Sequence, residues 1–174
     1  MILSAPVRRT DLGSGRVGVP RRTAQKMREI IRKSSSNLYV RKWAEKIIED
    51  VPDRDMKGEV EAIYTFLQRK TRYARDPRGT EFIQTPPYVL KQVELGMKPS
   101  LDCDDYTVSG LSLLRSMGYS TLIRVTGYKD DGRFSHVYGK VLVDGKWVNF
   151  DPVRKGQNLG WEAPGRRRQM DFEV

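Results

Sequence analysis

Cys103 is the only cysteine of this 174-residue chain, and His136 is the only histidine. The cysteine stands in Asp102-Cys103-Asp104-Asp105-Tyr106, just ahead of the apolar periodic run Val108, Leu111, Leu114 and Met117. The histidine follows 33 residues later in Phe134-Ser135-His136-Val137-Tyr138. Asp151 comes 15 residues after that, in Trp147-Val148-Asn149-Phe150-Asp151-Pro152. A thiol, an imidazole and a carboxylate in this order are the parts of a nucleophile, a base and the group that orients the base. The chemistry they suit is acyl transfer through a covalent acyl-enzyme.

The elements that must position these groups can be read from pattern. Ser100 or Asp102 caps a helix beginning at Cys103 and ending at Met117-Gly118, where glycine can take the left-handed C-terminal conformation. The period then changes to two. Thr121, Ile123 and Val125 alternate along one strand, Phe134 to Val143 forms a second, and Lys146 to Phe150 a third. Asp144-Gly145 is a two-residue hairpin turn. With that turn, Val143 pairs with Lys146 and Tyr138 faces Asp151. His136, two residues from Tyr138, then lies on the same face, diagonal to Asp151, roughly 7–8 Å away at the backbone and within side-chain reach. The carboxylate can hold one imidazole nitrogen and leave the other for the thiol.

A helix start favours thiolate at Cys103, and the Cys103 backbone N–H can serve as one oxyanion donor. Gln84 and Tyr73 are the candidates for a second. Asp102, Asp104 and Asp105 oppose the thiolate by like charge. Either a protonated His136 or a bound cation would offset them. Three carboxylates so close could supply oxygen ligands to calcium. The alternative is simple helix capping, and the reaction itself requires no cofactor.

Ahead of the cysteine the chain reads as helical. Residues 1–22 are a flexible basic arm containing Gly13, Gly15, Gly18, Pro6 and Pro20. Residues 23–54 are a helical lead-in, with Met27, Ile30 and Ile31 on one helix and Val40, Trp43, Ala44, Ile47 and Ile48 on the next. Asp53 or Asp55 caps a third helix bearing Val60, Ile63, Phe66 and Leu67. Asp76-Pro77-Arg78-Gly79 is a turn, and Thr85-Pro86-Pro87 opens a short helix ending near Gly96. The order of helices followed by an antiparallel meander predicts an α+β fold, with the main domain over 55–160 and a C-terminal tail over 161–174.

Composition narrows the rest. One cysteine excludes an intramolecular disulfide framework and a multi-cysteine metal site. Met1 to Val7 does not read as a signal peptide, because Arg8 and Arg9 follow it rather than precede it. No apolar stretch approaches the length of a membrane span, so the expectation is a soluble protein made in the cytoplasm with no membrane partner. The net charge is +10, and residues 1–50 hold 12 Lys/Arg against 5 Asp/Glu. Such an arm can meet nucleic acid nonspecifically, an acidic partner or an anionic surface. Aromatics are not interleaved with the charge as a stacking platform requires.

The chain resembles the transglutaminase-like superfamily of papain-like cysteine enzymes. The matching blocks are Thr71-Arg72-Tyr73 with Asp76, Thr85-Pro86, Asp102-Cys103-Asp104-Asp105, Ser135-His136-Val137-Tyr138, and Gly145-Lys146-Trp147 with Asp151-Pro152. They cover about residues 55–155. The resemblance implies Cys103 as nucleophile, His136 as base and Asp151 as orienter. It spans protein cross-linkers, proteases, peptide N-glycanases and inactive scaffolds, so the implied substrate is an amide in protein or peptidoglycan. Some bacterial proteases of the superfamily hold calcium through acids flanking the cysteine, which is how Asp102 and Asp104 are placed. Closer similarity is to transglutaminase-like proteins of tailed phages and prophages, through Glu81-Phe82-Ile83-Gln84-Thr85-Pro86, the histidine block and Leu159-Gly160-Trp161-Glu162. That implies a phage protein, in which residues 1–22 and the tail could contact virion proteins. Two functions compete: a cysteine hydrolase or acyltransferase, and a particle or assembly protein with little or no catalysis. One departure from the family pattern stands out. Leu101 occupies a position that is often glycine, where its bulk is expected to crowd the approach to Cys103.

Overall fold

A computed structural model describes residues 8–9, 18–76 and 82–174. In chain order the elements are β1 (Arg8–Arg9), α1 (Gly18–Ser35), α2 (Leu38–Ile47), α3 (Met56–Lys70), β2 (Arg72–Tyr73), β3 (Phe82–Ile83) and α4 (Pro86–Glu94). There follow β4 (Ser100–Leu101), α5 (Cys103–Ser116), β5 (Thr121–Gly127), β6 (His136–Val143), β7 (Lys146–Phe150) and β8 (Arg168–Glu173). The fold is α+β, as the order of periods predicts.

Local chemistry sets the helix ends. The Asn37 side chain accepts from Tyr39 N at 2.8 Å to start α2, and Asp55 accepts from Gly58 N at 2.8 Å to start α3. Pro86 and Pro87 occupy the first turn of α4 behind the cap position Thr85. On α1, Ala24, Met27 and Ile31 form one buried face at spacings of three and four.

The main sheet has the strand order β7-β6-β5-β8, antiparallel throughout. Helix α5 lies across it with α1, α2, α3 and α4 packed around, and is buried on almost every side. Small residues allow this. Ser109 and Ser112 are fully buried on the flank that a simple amphipathic reading leaves to solvent. A Cβ on Gly110 would come within 2.3 Å of the Phe150 ring. At Gly139 a Cβ would meet Leu111 Cδ2 at 2.5 Å, so α5 and β6 approach closely where glycine faces leucine.

Two assignments from sequence need correction. Residues 161–174 are not a tail, because Arg168–Glu173 pair with β5 as the outer strand β8. Arg124 fixes that pairing through two bonds to Asp171, at 2.7 and 2.6 Å. The apolar alternation is only three residues long, Met170, Phe172 and Val174, and it sits behind three arginines that mask it. The arm over 1–22 is also shorter than expected. Helix α1 begins at Gly18 with Pro20 in its first turn, and Arg8–Arg9 pair with Phe82–Ile83. The remaining residues of the arm, 1–7 and 10–17, lie outside the described residues, as does most of the Asp76-Pro77-Arg78-Gly79 turn.

Candidate active site

Cys103 is the first residue of α5. Its helix start is a reciprocal capping box: Asp102 Oδ1 accepts from Asp104 N at 3.0 Å and Asp105 N at 3.1 Å, and Asp105 Oδ2 accepts from Asp102 N at 3.4 Å. The box does not engage the N–H of Cys103. Thr107 Oγ1 lies 2.8 Å from Cys103 O and 3.4 Å from Val137 O, which stitches the first turn of α5 to β6.

The histidine and the second carboxylate come from one hairpin. Asp144 and Gly145 have φ of 48° and 75°, the conformation of a tight two-residue turn. The register is the expected one, running from Val143↔Lys146 to Gly139↔Phe150. Asp151 follows directly, and His136 Nε2 lies 2.7 Å from Asp151 Oδ2. Asp151 is 4% exposed, and its Oδ1 has no hydrogen-bond partner among the described residues. Tyr64 OH donates to Asp151 O at 3.0 Å and stands edge-on to Phe150 at 5.5 Å, anchoring the end of β7. A carboxylate on Nε2 selects the tautomer with hydrogen there, which leaves Nδ1 as the acceptor.

Cys103 and His136 line one cavity of about 210 Å³. Its other walls include Asp102 and Asp104 beside the thiol, Phe134 and Val137 from the β5–β6 connection and β6, and Ala24 and Met27 of α1. The thiol is held well above its ordinary range. Burial is the main cause, Asp104 and Asp102 add like-charge repulsion, and a backbone hydrogen bond from Val137 opposes them. The Cys103 Sγ–Asp104 Oδ1 distance is 3.6 Å, so the resting thiol points its proton at a carboxylate. Burial, with the acids, thus outweighs the helix start, and a resting thiolate is disfavoured.

The remaining candidates separate clearly. Gln84 Nε2 donates to Ser100 O at 2.8 Å and to Asp105 Oδ2 at 2.9 Å, while Gln84 N donates to Asp105 Oδ1 at 2.7 Å. Both amide hydrogens are therefore committed to bracing the nucleophile helix, not to an oxyanion. Asp105, 1% exposed, is pushed up to about 8 by burial and by Asp102, against the hydrogen bonds from Gln84 and Asp102. Tyr73 is 43% exposed on β2, outside the cavity walls. Leu101 is fully buried in the core on β4 and is likewise not a wall, so it does not crowd the thiol. Among the described residues no group of three or more His, Cys, Asp or Glu is placed to hold a metal ion. Of the two acids expected to hold calcium, Asp102 gives its Oδ1 to the helix cap and Asp104 Oδ1 lies 3.6 Å from the Cys103 thiol.

Sequence reasoning did not find the contribution of α1. Met27 reads as a core residue on a helical stripe, and it is one, but with Ala24 it also faces the thiol. No local motif marks a wall that arrives from some 80 residues upstream.

A cysteine at a helix start against a histidine on an antiparallel sheet places the molecule among α+β proteins of cysteine-protease-like architecture. The Transglutaminase-like superfamily matches residues 41–152, and the chain belongs to that superfamily. Two solved structures share the fold. A candidate cysteine protease from Cytophaga hutchinsonii is 15% identical with a TM-score of 0.50, over 76% of this chain and 45% of its own. A candidate protease from Parabacteroides distasonis is 12% identical with a TM-score of 0.56, over 74% of this chain and 26% of its own. The chain therefore spans less than half the length of either, and at these identities the likeness concerns the fold alone. No curated protein shows significant similarity to the chain.

Proposed function

We propose that this protein is a cysteine-nucleophile enzyme acting on an amide, with Cys103 as nucleophile, His136 as base and Asp151 as orienter. The observation that carries the reading is the 2.7 Å contact by which buried Asp151 holds His136, itself a wall of the cavity that holds Cys103. Because the resting thiol is protonated, His136 acts as a general base at the moment of attack rather than as half of a standing ion pair. Sγ bonds to the amide carbon as its proton passes to Nδ1. The developing oxyanion is met by the Cys103 N–H. Collapse breaks the C–N bond, and the amine leaves with the proton from the imidazolium. Water or a second amine then attacks the thioester, giving a proton to His136, and the thiol is restored. Asp151 keeps the ring oriented throughout.

The substrate class we infer is a protein or peptidoglycan amide, and the setting a phage-encoded protein in a bacterial cytoplasm or a virion. The test is iodoacetamide alkylation of Cys103 across pH, in wild type and His136→Ala. Slower labelling at neutral pH in the variant is expected, and equal rates would remove the base from the mechanism. With an amide substrate, Cys103→Ala should abolish turnover while retaining the fold.

The raised thiol favours a second reading, a particle or assembly protein that retains the fold without turnover. In that case residues 1–17 would contact virion proteins or, nonspecifically, nucleic acid. Their deletion would then impair assembly, which Cys103→Ala would leave intact. Normal assembly by the truncated chain would count against this reading.

A further inference from the structure

The outer face of α1 is strongly cationic. Its 18 residues carry six Lys/Arg and one acid, Glu29. Glu29 is bonded to Lys26 at 2.9 Å on one flank. On the other flank Arg21, Arg28 and Arg32 follow one another with Gln25 at spacings of four, three and four, a single stripe about 16 Å long. Among the described residues none of these three arginines makes an ion pair, and Arg28 Nε is buried without a hydrogen-bond partner. Arg32 also stands close enough to Arg115 to repel it.

Arg21, Gln25 and Arg28 of this stripe line a groove of about 440 Å³ between α1 and β8 together with Met170 and Phe172, and Arg32 continues the stripe one turn beyond it. The one carboxylate in its wall, Asp171, gives both oxygens to Arg124. Ala24 belongs to the walls of both the groove and the Cys103 cavity, so the two lie on either side of one helix turn. A chain seated along the groove would thus be separated from the cavity that holds Cys103 by the shared Ala24 wall alone. Arginine forks match carboxylates in pairs, and their repeat along the helix suits a segment with several acids.

We propose that Arg21, Arg28 and Arg32 form a subsite that receives an acidic segment of a polypeptide substrate next to the amide presented to Cys103. The subsite rests on the reading of Cys103 as a nucleophile for an amide.

The experiment uses the full chain with Cys103→Ala and a fluorescein-labelled ten-residue peptide of alternating Glu and Gly. Binding is read by anisotropy at low and moderate salt, beside a single-stranded oligonucleotide of matched charge. The expected result is salt-sensitive peptide binding, weakened at least tenfold in Arg21→Gln/Arg28→Gln/Arg32→Gln. A control that removes equal charge elsewhere, Lys42→Gln/Lys57→Gln/Lys70→Gln, should bind as the parent does. Equal loss in the control, unchanged binding in the arginine variant, or binding of the oligonucleotide but not the peptide would each overturn the proposal. Iodoacetamide, small and uncharged, reports the thiol separately. If its reaction ignores His136 while the peptide still binds the stripe, the catalytic reading fails, and the stripe remains a site for acidic polypeptide but not a substrate subsite.

Discussion

The close approach of α5 to β6 sets the distance between nucleophile and base, and Gly139→Ala tests it. The added Cβ would lie 2.5 Å from Leu111 Cδ2, 3.0 Å from Cγ and 3.3 Å from Cδ1. Carbon atoms rest at roughly 3.5–4.0 Å, so about 1 Å must be recovered. Leu111 is fully buried and cannot swing into solvent. Either it leaves its rotamer, or the helix carrying Cys103 moves off the strand carrying His136. Overpacking of this kind costs about 1–3 kcal/mol, and a displacement near 1 Å at a reacting pair costs on the order of 100-fold in rate. Urea unfolding should therefore show a lower midpoint at unchanged slope, and the His136-dependent part of Cys103 alkylation should shrink with it. Leu111→Ala alone should cost about 2–5 kcal/mol through its cavity. In the double variant the alanine at 139 would fill part of that space, so the two losses should fall short of their sum by more than about 0.5 kcal/mol. Additive losses, or full stability in Gly139→Ala, would show that this contact does not set the spacing.

Three further outcomes are expected. Asp105 is raised from an unfolded value near 3.8 to about 8, so the folded state holds its proton more tightly. The stability this contributes is complete below the unfolded value and is lost as pH rises toward 8. Wild type should accordingly show a Tm that declines across that window relative to Asp105→Asn, and parallel profiles would contradict the assignment. Gln84→Ala removes the donors to Ser100 O and Asp105 Oδ2 and should cost about 1–3 kcal/mol in denaturant unfolding. If instead turnover fell while stability held, Gln84 would be an oxyanion donor after all. Asp104→Asn removes a like charge beside Sγ, so the pH midpoint of Cys103 alkylation should move down. A midpoint that stays in place would mean that burial and Asp102 hold the thiol without Asp104.

The hairpin was the most legible part of the site. A two-residue Asp-Gly turn leaves one register open, and that register alone carries His136 to Asp151. The helix ends were nearly as readable, narrowed to Asp53 or Asp55 and to Ser100 or Asp102 and placed at Gly118, because capping is local chemistry. What pattern did not convey was long-range. Ser109 and Ser112 look like a solvent face until four helices crowd α5. Gln84 has the chemistry of an oxyanion donor, and only the position of Asp105 shows that its amide is already engaged. Leu101 looks obstructive beside the cysteine in sequence, yet its strand turns it into the core. The last strand escaped notice because three alternating apolar residues behind a run of arginines are too few to announce a period.

The hairpin also bears on how the site comes into being. His136 and Asp151 are joined by a contact of short sequence separation, the kind that forms within microseconds once a turn closes. The wall from α1 must cross some 80 residues to reach Cys103, and such contacts form late and carry the loop-closure cost. The base and its carboxylate can therefore be paired before there is a cleft around them, with the reactive pocket completed only when the distant helix docks. By the same logic, undocking of α1 would open the pocket while the sheet persists, a partial opening that amide hydrogen exchange would register as lower protection in α1 than in β5 and β6.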